Sequence, residues 1–370
     1  MKKICLLIFL FIPQTLPAQI LNDSAIQQLI LNALDDIYSY DFAGASQRIR
    51  QIQQTYPQHP VGPTLKAIQL YWQYLPIREN RPAKAAYVQN LNQGLELAKR
   101  RLERDEDDPE GVFFALTTHG YLAAKHNFDN ELLKAVGEAK KAYDYMKQGF
   151  TLTEKNAEFY FTTGLYNYYV ERYPMDHPAV KPFMFFFQDG NMALGLRQME
   201  TAARRAVFTR VETAFYLAQI YLEHENQPQR AVAFLKPLAD KYPDNPIFSL
   251  RTAEALILAG RYADAQPYVQ RLKKMPQKVL QMPVRVLDAM LDERLEHNSA
   301  GAAAGYQNAL KMPFDEELTR EFHAHAYAGL ARMAARTGNR TQARTYYKKV
   351  LDFTEYKSIR TEARMYLKTD

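Results

Sequence analysis

Along most of the chain, apolar side chains recur at i, i+3, i+4 and i+7, the helical period, within segments of about 12 to 20 residues. Alternating strand-like runs are missing. Proline and glycine punctuate these segments: Tyr-Pro-Gln-His-Pro at 56–60, Asp-Asp-Pro at 107–109, Tyr-Pro-Asp-Asn-Pro at 242–246, and Met-Pro at 275–276 and 312–313. The rhythm is helix, turn, helix, repeating about every 40 residues. It predicts an all-α chain of stacked helical hairpins, each burying its apolar face only against its neighbours.

Small residues sharpen this reading. Ala33 and Ala45 stand twelve apart, followed by Ile49, Ile52 and Pro57; Ala253 and Ala265, with Val269 and Leu272, repeat the pattern around Gly260-Arg261-Tyr262-Ala263-Asp264. Ala331, Ala343, Tyr347 and Val350 repeat it around Gly338-Asn339. Ala218, Ala231, Leu235, Leu238 and Pro243 do so with one extra residue in the turn at 225–229. The chain resembles the tetratricopeptide repeat (TPR) family, where two helix backbones approach too closely for a larger side chain at these positions. The resemblance implies a TPR-like α-solenoid of about eight helical hairpins with a C-terminal capping helix at 356–369.

Between Val61 and Val207 the units are longer. Helix pairs are predicted at 61–75 with 83–104, 110–126 with 130–152, and 156–173 with 191–207, with a further pair at 279–297 and 299–312. The run Gly164-Leu165-Tyr166-Asn167-Tyr168-Tyr169, a proline-bearing apolar insert, then Asp189-Gly190 and Gly195-Leu196 also resembles a hairpin of a eukaryotic TPR family linked to inclusion-body clearance and lipid droplets. The expected division is therefore a leader at 1–18, an N-terminal hairpin at 19–60, long divergent hairpins at 61–209 with the insert at 173–190, and C-terminal repeats with the capping helix at 210–370.

The leader reading rests on Met1, Lys2 and Lys3, the apolar run Ile4 to Ile12, and Leu16-Pro17-Ala18, the order of a secretory signal peptide. Cleavage after Ala18 would remove Cys5, the only cysteine, leaving no thiol for disulfides, metal or nucleophilic chemistry. Loss of Lys2 and Lys3 would lower the 47 basic residues to 45 against 41 acidic, too small an excess to argue for nucleic acid. No later stretch reaches the roughly 20 apolar residues of a spanning helix. The expectation is an exported protein, periplasmic or secreted, with no integral membrane segment after cleavage.

Candidate chemistry is sparse. Gly-x-Ser-x-Gly, Gly-x-Gly-x-x-Gly, a Walker loop and His-Glu-x-x-His are absent, so no catalytic residue is assigned. Asp105 to Asp108 lacks the register of a calcium loop and reads as a solvated turn. His323 and His325 point apart on a helix, while Glu321 with His325 and Glu293 with His297 read as surface pairs. No cofactor and no metal are expected.

What remains is binding. The resemblance places a partner on the concave surface of the first helix of each unit, which maps to Phe161, Leu165, Tyr168 and Tyr169, then Phe215, Gln219, Leu222 and Glu223, then Leu250, Glu254 and Ile257. Such an apolar groove suits an extended or helical peptide. In the insert, Pro174, Pro178 and Pro182 interrupt a helix, and Phe183, Met184, Phe185, Phe186 and Phe187 form an apolar run that must dock somewhere. The favoured place is the concave surface, against Phe215 and Tyr168, and the other is a partner or a lipid. The function expected is a scaffold holding a protein or peptide; a glycan- or lipid-binding envelope protein is the alternative, and an enzyme the remoter one.

Overall fold

The computed structural model describes residues 23–153 and 156–368, so the proposed leader at 1–18 lies outside the described residues. Among the described residues there are seventeen α-helices and no strand. They pair as eight hairpins: α1 (Ser24–Tyr38) with α2 (Phe42–Thr55), α3 (Val61–Gln73) with α4 (Arg81–Leu102), α5 (Pro109–Phe128) with α6 (Leu132–Leu152), and α7 (Phe159–Asp176) with α8 (Met192–Arg205). Then follow α9 (Arg210–Glu223) with α10 (Pro228–Lys241), α11 (Pro246–Leu258) with α12 (Tyr262–Leu272), α13 (Gln281–Arg294) with α14 (Ser299–Ala309), and α15 (Arg320–Arg336) with α16 (Arg340–Phe353). A last helix, α17 (Lys357–Lys368), closes the array.

Local chemistry sets the boundaries. Asp and Asn side chains cap the orphan amides at helix starts: Asn245 accepts from Ile247 and Phe248 at 3.0 and 3.1 Å, Asn191 from Leu194 at 2.8 Å, and Asn80 from Ala83 at 3.0 Å. Proline opens α5, α10 and α11, where its missing N–H costs nothing. Gly260 and Gly338 turn their hairpins at φ 75° and 76°, a region that favours glycine.

The small-residue pairs are where the helices cross. Ala33, Ala45, Ala218, Ala231, Ala253, Ala265, Ala331 and Ala343 have no exposed surface. In the fourth hairpin a Cβ on Gly195 would lie 2.7 Å from the carbonyl oxygen of Gly164 and 2.8 Å from the amide of Tyr168, so only glycine admits that backbone contact. One apolar core runs from Ile26 to Ala363.

The hairpins wind far enough for distant units to meet. Asp35 in α1 receives Lys241 at 2.9 Å and the Tyr242 hydroxyl at 2.5 Å, and Asn245 donates to the Tyr38 carbonyl at 3.1 Å. Tyr71 of α3 donates to Glu317 at 2.6 Å, and Arg78 pairs with Asp315. Tyr121 of α5 donates to Glu212 of α9 at 2.8 Å. Glu158, just before α7, accepts from the backbone amides of Val207, Phe208 and Thr209, capping α9 from outside its own helix.

Candidate functional site

The first helices of the hairpins face one another across the superhelix, and aromatic side chains fill much of the space between them. Trp72 lies at the centre, with ring centroids 5.6 Å from Tyr38, 6.1 Å from Phe215 and 5.3 Å from Phe248. The eleven inward positions expected to form a groove divide accordingly. Phe161, Tyr168, Leu222, Leu250, Glu254 and Ile257 are buried in the protein's own core and present no face to a partner in this conformation. Leu165, Tyr169, Phe215, Gln219 and Glu223 remain partly exposed. The physical reason is curvature: a tightly wound array brings inner faces into mutual contact, and apolar side chains there pack on each other.

Glu254 shows what burial does to such a position. It is wholly buried, and accepts from Arg251 at 2.8 Å, His325 at 3.0 Å and the Tyr356 hydroxyl at 2.9 Å. Burial opposes its charge, but Arg251 and then His325 outweigh burial and hold its pKa down to about 2. His325 and Glu293, read from sequence as members of surface pairs, are in fact buried; Glu293 accepts from Arg332 at 2.8 Å and from the Tyr306 hydroxyl at 2.8 Å. His323 is buried too, its Nδ1 2.9 Å from the Thr319 carbonyl. The acidic turn is structural: Asp108 caps α5 and pairs with Arg101 at 2.6 Å.

A second class of inward carboxylates has no such cation in contact. Burial pushes the carboxyls of Glu212 and Glu223 up to about 7 and that of Glu321 up to about 8, with Glu158 adding to Glu212, and Glu223 adding to Glu321. Glu212 borders a largely apolar cavity of about 50 Å³, lined also by Ile30, Phe113, Thr117 and Tyr121. That volume suits a water or two rather than a metabolite, since small-molecule sites run from roughly 300 Å³ upward. Raised carboxyls alone therefore do not make an acid–base site here.

The rings of the insert pack on Tyr143 and on each other, not on Phe215 or Tyr168. After α7 the chain makes a 3-10 segment, Pro178–Phe186, and the residues that follow are pinned to the third and fourth hairpins. Tyr166 donates to the Gln188 carbonyl at 2.6 Å, the Gln188 amide donates to the Tyr143 hydroxyl at 3.3 Å, and Phe187 packs on Tyr143 at 5.6 Å. Val180 is buried and Phe183 partly so, while Phe185 and Phe186 lie against each other at 3.9 Å and are 77% and 42% exposed. The docking expected against Phe215 and Tyr168 is thus replaced by docking on α6 and α7, because Tyr143 and Tyr166 supply the nearer aromatic surface.

Three residues absent from the sequence reading also converge: Asp176 at the end of α7, His224 after α9, and Glu355 before α17, with His177 beside Glu355. They are scattered over the chain at spacings that carry no local motif.

The tetratricopeptide repeat family model matches residues 213–279, from within α9 to just beyond α12. No curated protein matches the chain. Among solved structures, a human IFIT1 dimer with PPP-AAAA is similar at 13% identity and TM-score 0.43, over 85% of this chain and 69% of that one. Yeast Tom70 is similar at 14% and 0.38, over 93% and 74%. A tetratricopeptide repeat protein from Parabacteroides merdae is similar at 12% and 0.34, over 81% and 98%. Scores this low carry no inference about what the chain binds.

Proposed function

We propose that this protein is an exported scaffold that holds a protein or peptide partner, and that the insert is the principal contact. The observation that carries the reading is the exposed Phe185–Phe186 pair, displayed on an arm that is itself fixed at Val180, Phe187 and Gln188. An aromatic pair held rigid in water loses little conformational entropy on binding and offers the large apolar area typical of a binding hot spot. Leu165, Tyr169, Phe215, Gln219 and Glu223 are the remaining inward positions with surface to offer. Export rests on the order of charged, apolar and small residues in 1–18. The scaffold reading makes the chain a binding protein rather than an enzyme.

The test is crosslinking with mass spectrometry in native cells, comparing wild type with Phe185→Ser/Phe186→Ser. Crosslinks to one defined protein, lost in the variant while its melt is unchanged, support the reading. Retained crosslinks, or loss instead of binding to phospholipid vesicles, overturn it, the latter in favour of a lipid-docking arm.

A further inference from the structure

Asp176, His224 and Glu355 come from three separated parts of the chain, yet one ligand atom of each lies within 4.8 Å of the other two. His224 is only 4% exposed, and its Nδ1 has no hydrogen-bond partner. That nitrogen points at Asp176 Oδ2 from 3.8 Å, while its Nε2 faces Glu223 Oε2 at 3.9 Å. Both separations are too long for hydrogen bonds. The first is short enough for Nδ1 and Asp176 to share one ion, because ligand atoms bound at about 2.1 Å around a tetrahedral zinc lie roughly 3.4 Å apart. On the open side of the cluster, His177 Nε2 lies 3.4 Å from Glu355 Oε1, and its side chain is 37% exposed.

We propose that Asp176, His224 and Glu355 form a binding site for a divalent transition metal of the zinc class, with the partly exposed His177 turning in from beside Glu355 as the fourth ligand. The donor set decides the class: imidazole nitrogen with carboxylate oxygen suits zinc, whereas calcium and magnesium take oxygen alone. The His224 ring is buried, and its Nδ1, facing Asp176, makes no hydrogen bond that an ion would have to displace. Arg172 grips Asp176 at 2.8 and 3.0 Å and fixes its orientation, and Arg360 stands 3.7 Å away. These two guanidiniums make the site weaker than an uncompensated carboxylate cage, while Glu223 behind His224 offsets part of their charge. The exposed His177 provides the entry path. Bound metal would tie the ends of α7 and α9 to the start of α17, three elements joined at this point only by side chains.

The test uses chelator-treated, tag-free full chain titrated with zinc chloride. The expected result is one zinc per chain after gel filtration, a saturable rise in melting temperature that magnesium and calcium do not reproduce, and a strong four-coordinate visible band with cobalt(II). Glu355→Gln should weaken zinc binding at least tenfold with an unchanged far-UV circular dichroism spectrum, and His126→Gln, which breaks a comparable pair with Glu131 elsewhere, should leave it unchanged. If Glu355→Gln fails to fold, His177→Ala replaces it, since that ring is partly in solvent. Less than stoichiometric zinc, or affinity equal in wild type and in the folded ligand variant, overturns the site.

Discussion

Ala265 has no exposed surface and sits where α11 and α12 cross, whereas Arg261, four residues earlier, holds only the exposed Asp264 at 2.7 Å. Ala265→Arg should therefore overpack the crossing by roughly 1–3 kcal/mol and bury a charge besides. Arg261→Ala should stay within about 0.5 kcal/mol. Melting curves of the two variants must separate clearly. The inward carboxyls give a second prediction at this scale. Unfolded, Glu212, Glu223 and Glu321 titrate from the ordinary 4.5; folded, they titrate at about 7, 7 and 8. The folded chain holds protons that the unfolded chain has released, so stability falls as pH rises from about 4.5 until it levels off above about 8. His224, lowered from 6.5 to about 4, acts in the opposite direction only below about 6.5. From pH of about 7 to about 9 the melting temperature should fall, and Glu321→Gln should flatten that slope; a slope equal in both proteins counts against the assignment. Single residues were unevenly legible in the sequence. The alanine and glycine crossings were readable because backbone contact permits nothing larger. Extending the same register six residues before Ala218 and Ala331 would also have named Glu212 and His325. Asp176, His224 and Glu355 had no such signal, because their proximity exists only after the chain has wound.

At the scale of elements, the hairpins followed the hydrophobic period closely: the second helices expected at 83–104, 130–152 and 299–312 appear at 81–102, 132–152 and 299–309. Asn80 and Asn298 cap the first and third of these helices and mark their starts locally, whereas α6 begins at Glu131 without a side-chain cap and is placed by its apolar period alone. The insert was legible as an interruption but not as a docked arm. Its prolines forbid a regular α-helix beyond Asp176, yet nothing local says that Tyr143 and Tyr166 will receive it. The structure divides its phenylalanines by role, and this division can be measured. Phe187→Ser removes a half-buried ring packed 5.6 Å from Tyr143 and should lower the melting temperature. Phe185→Ser, at a ring 77% exposed, should leave it nearly unchanged. Equal melts would mean that the arm is not held where the structure places it.

At the scale of the molecule, the winding of the array changes how stability is shared. In an open solenoid each unit feels only its neighbours, so damage stays local. Here α1 reaches α10 and α11 through Asp35, Tyr38 and Asn245, pairs separated by 206 to 207 positions in the chain. Such closure was not readable from repeats, since superhelical curvature accumulates from small rotations between units that no single unit specifies. Trp72, the sole tryptophan, sits at the junction of the first, second, fifth and sixth hairpins and reports on it. Tyr38→Ala removes a ring that is 1% exposed and packed on Trp72, Tyr242 and Phe248 at 5.6, 5.7 and 6.0 Å. A large buried aromatic side chain cut to alanine costs about 3–5 kcal/mol. Trp72 emission should shift to the red in the native variant, and amide hydrogen exchange should speed up in α10 and α11 as well as in α1 and α2. An open array predicts a different pattern, with faster exchange confined to the first two hairpins. Exchange in α10 and α11 unchanged from wild type would therefore show that the first and sixth hairpins do not support one another in solution, and that the inner face is free to open toward a partner.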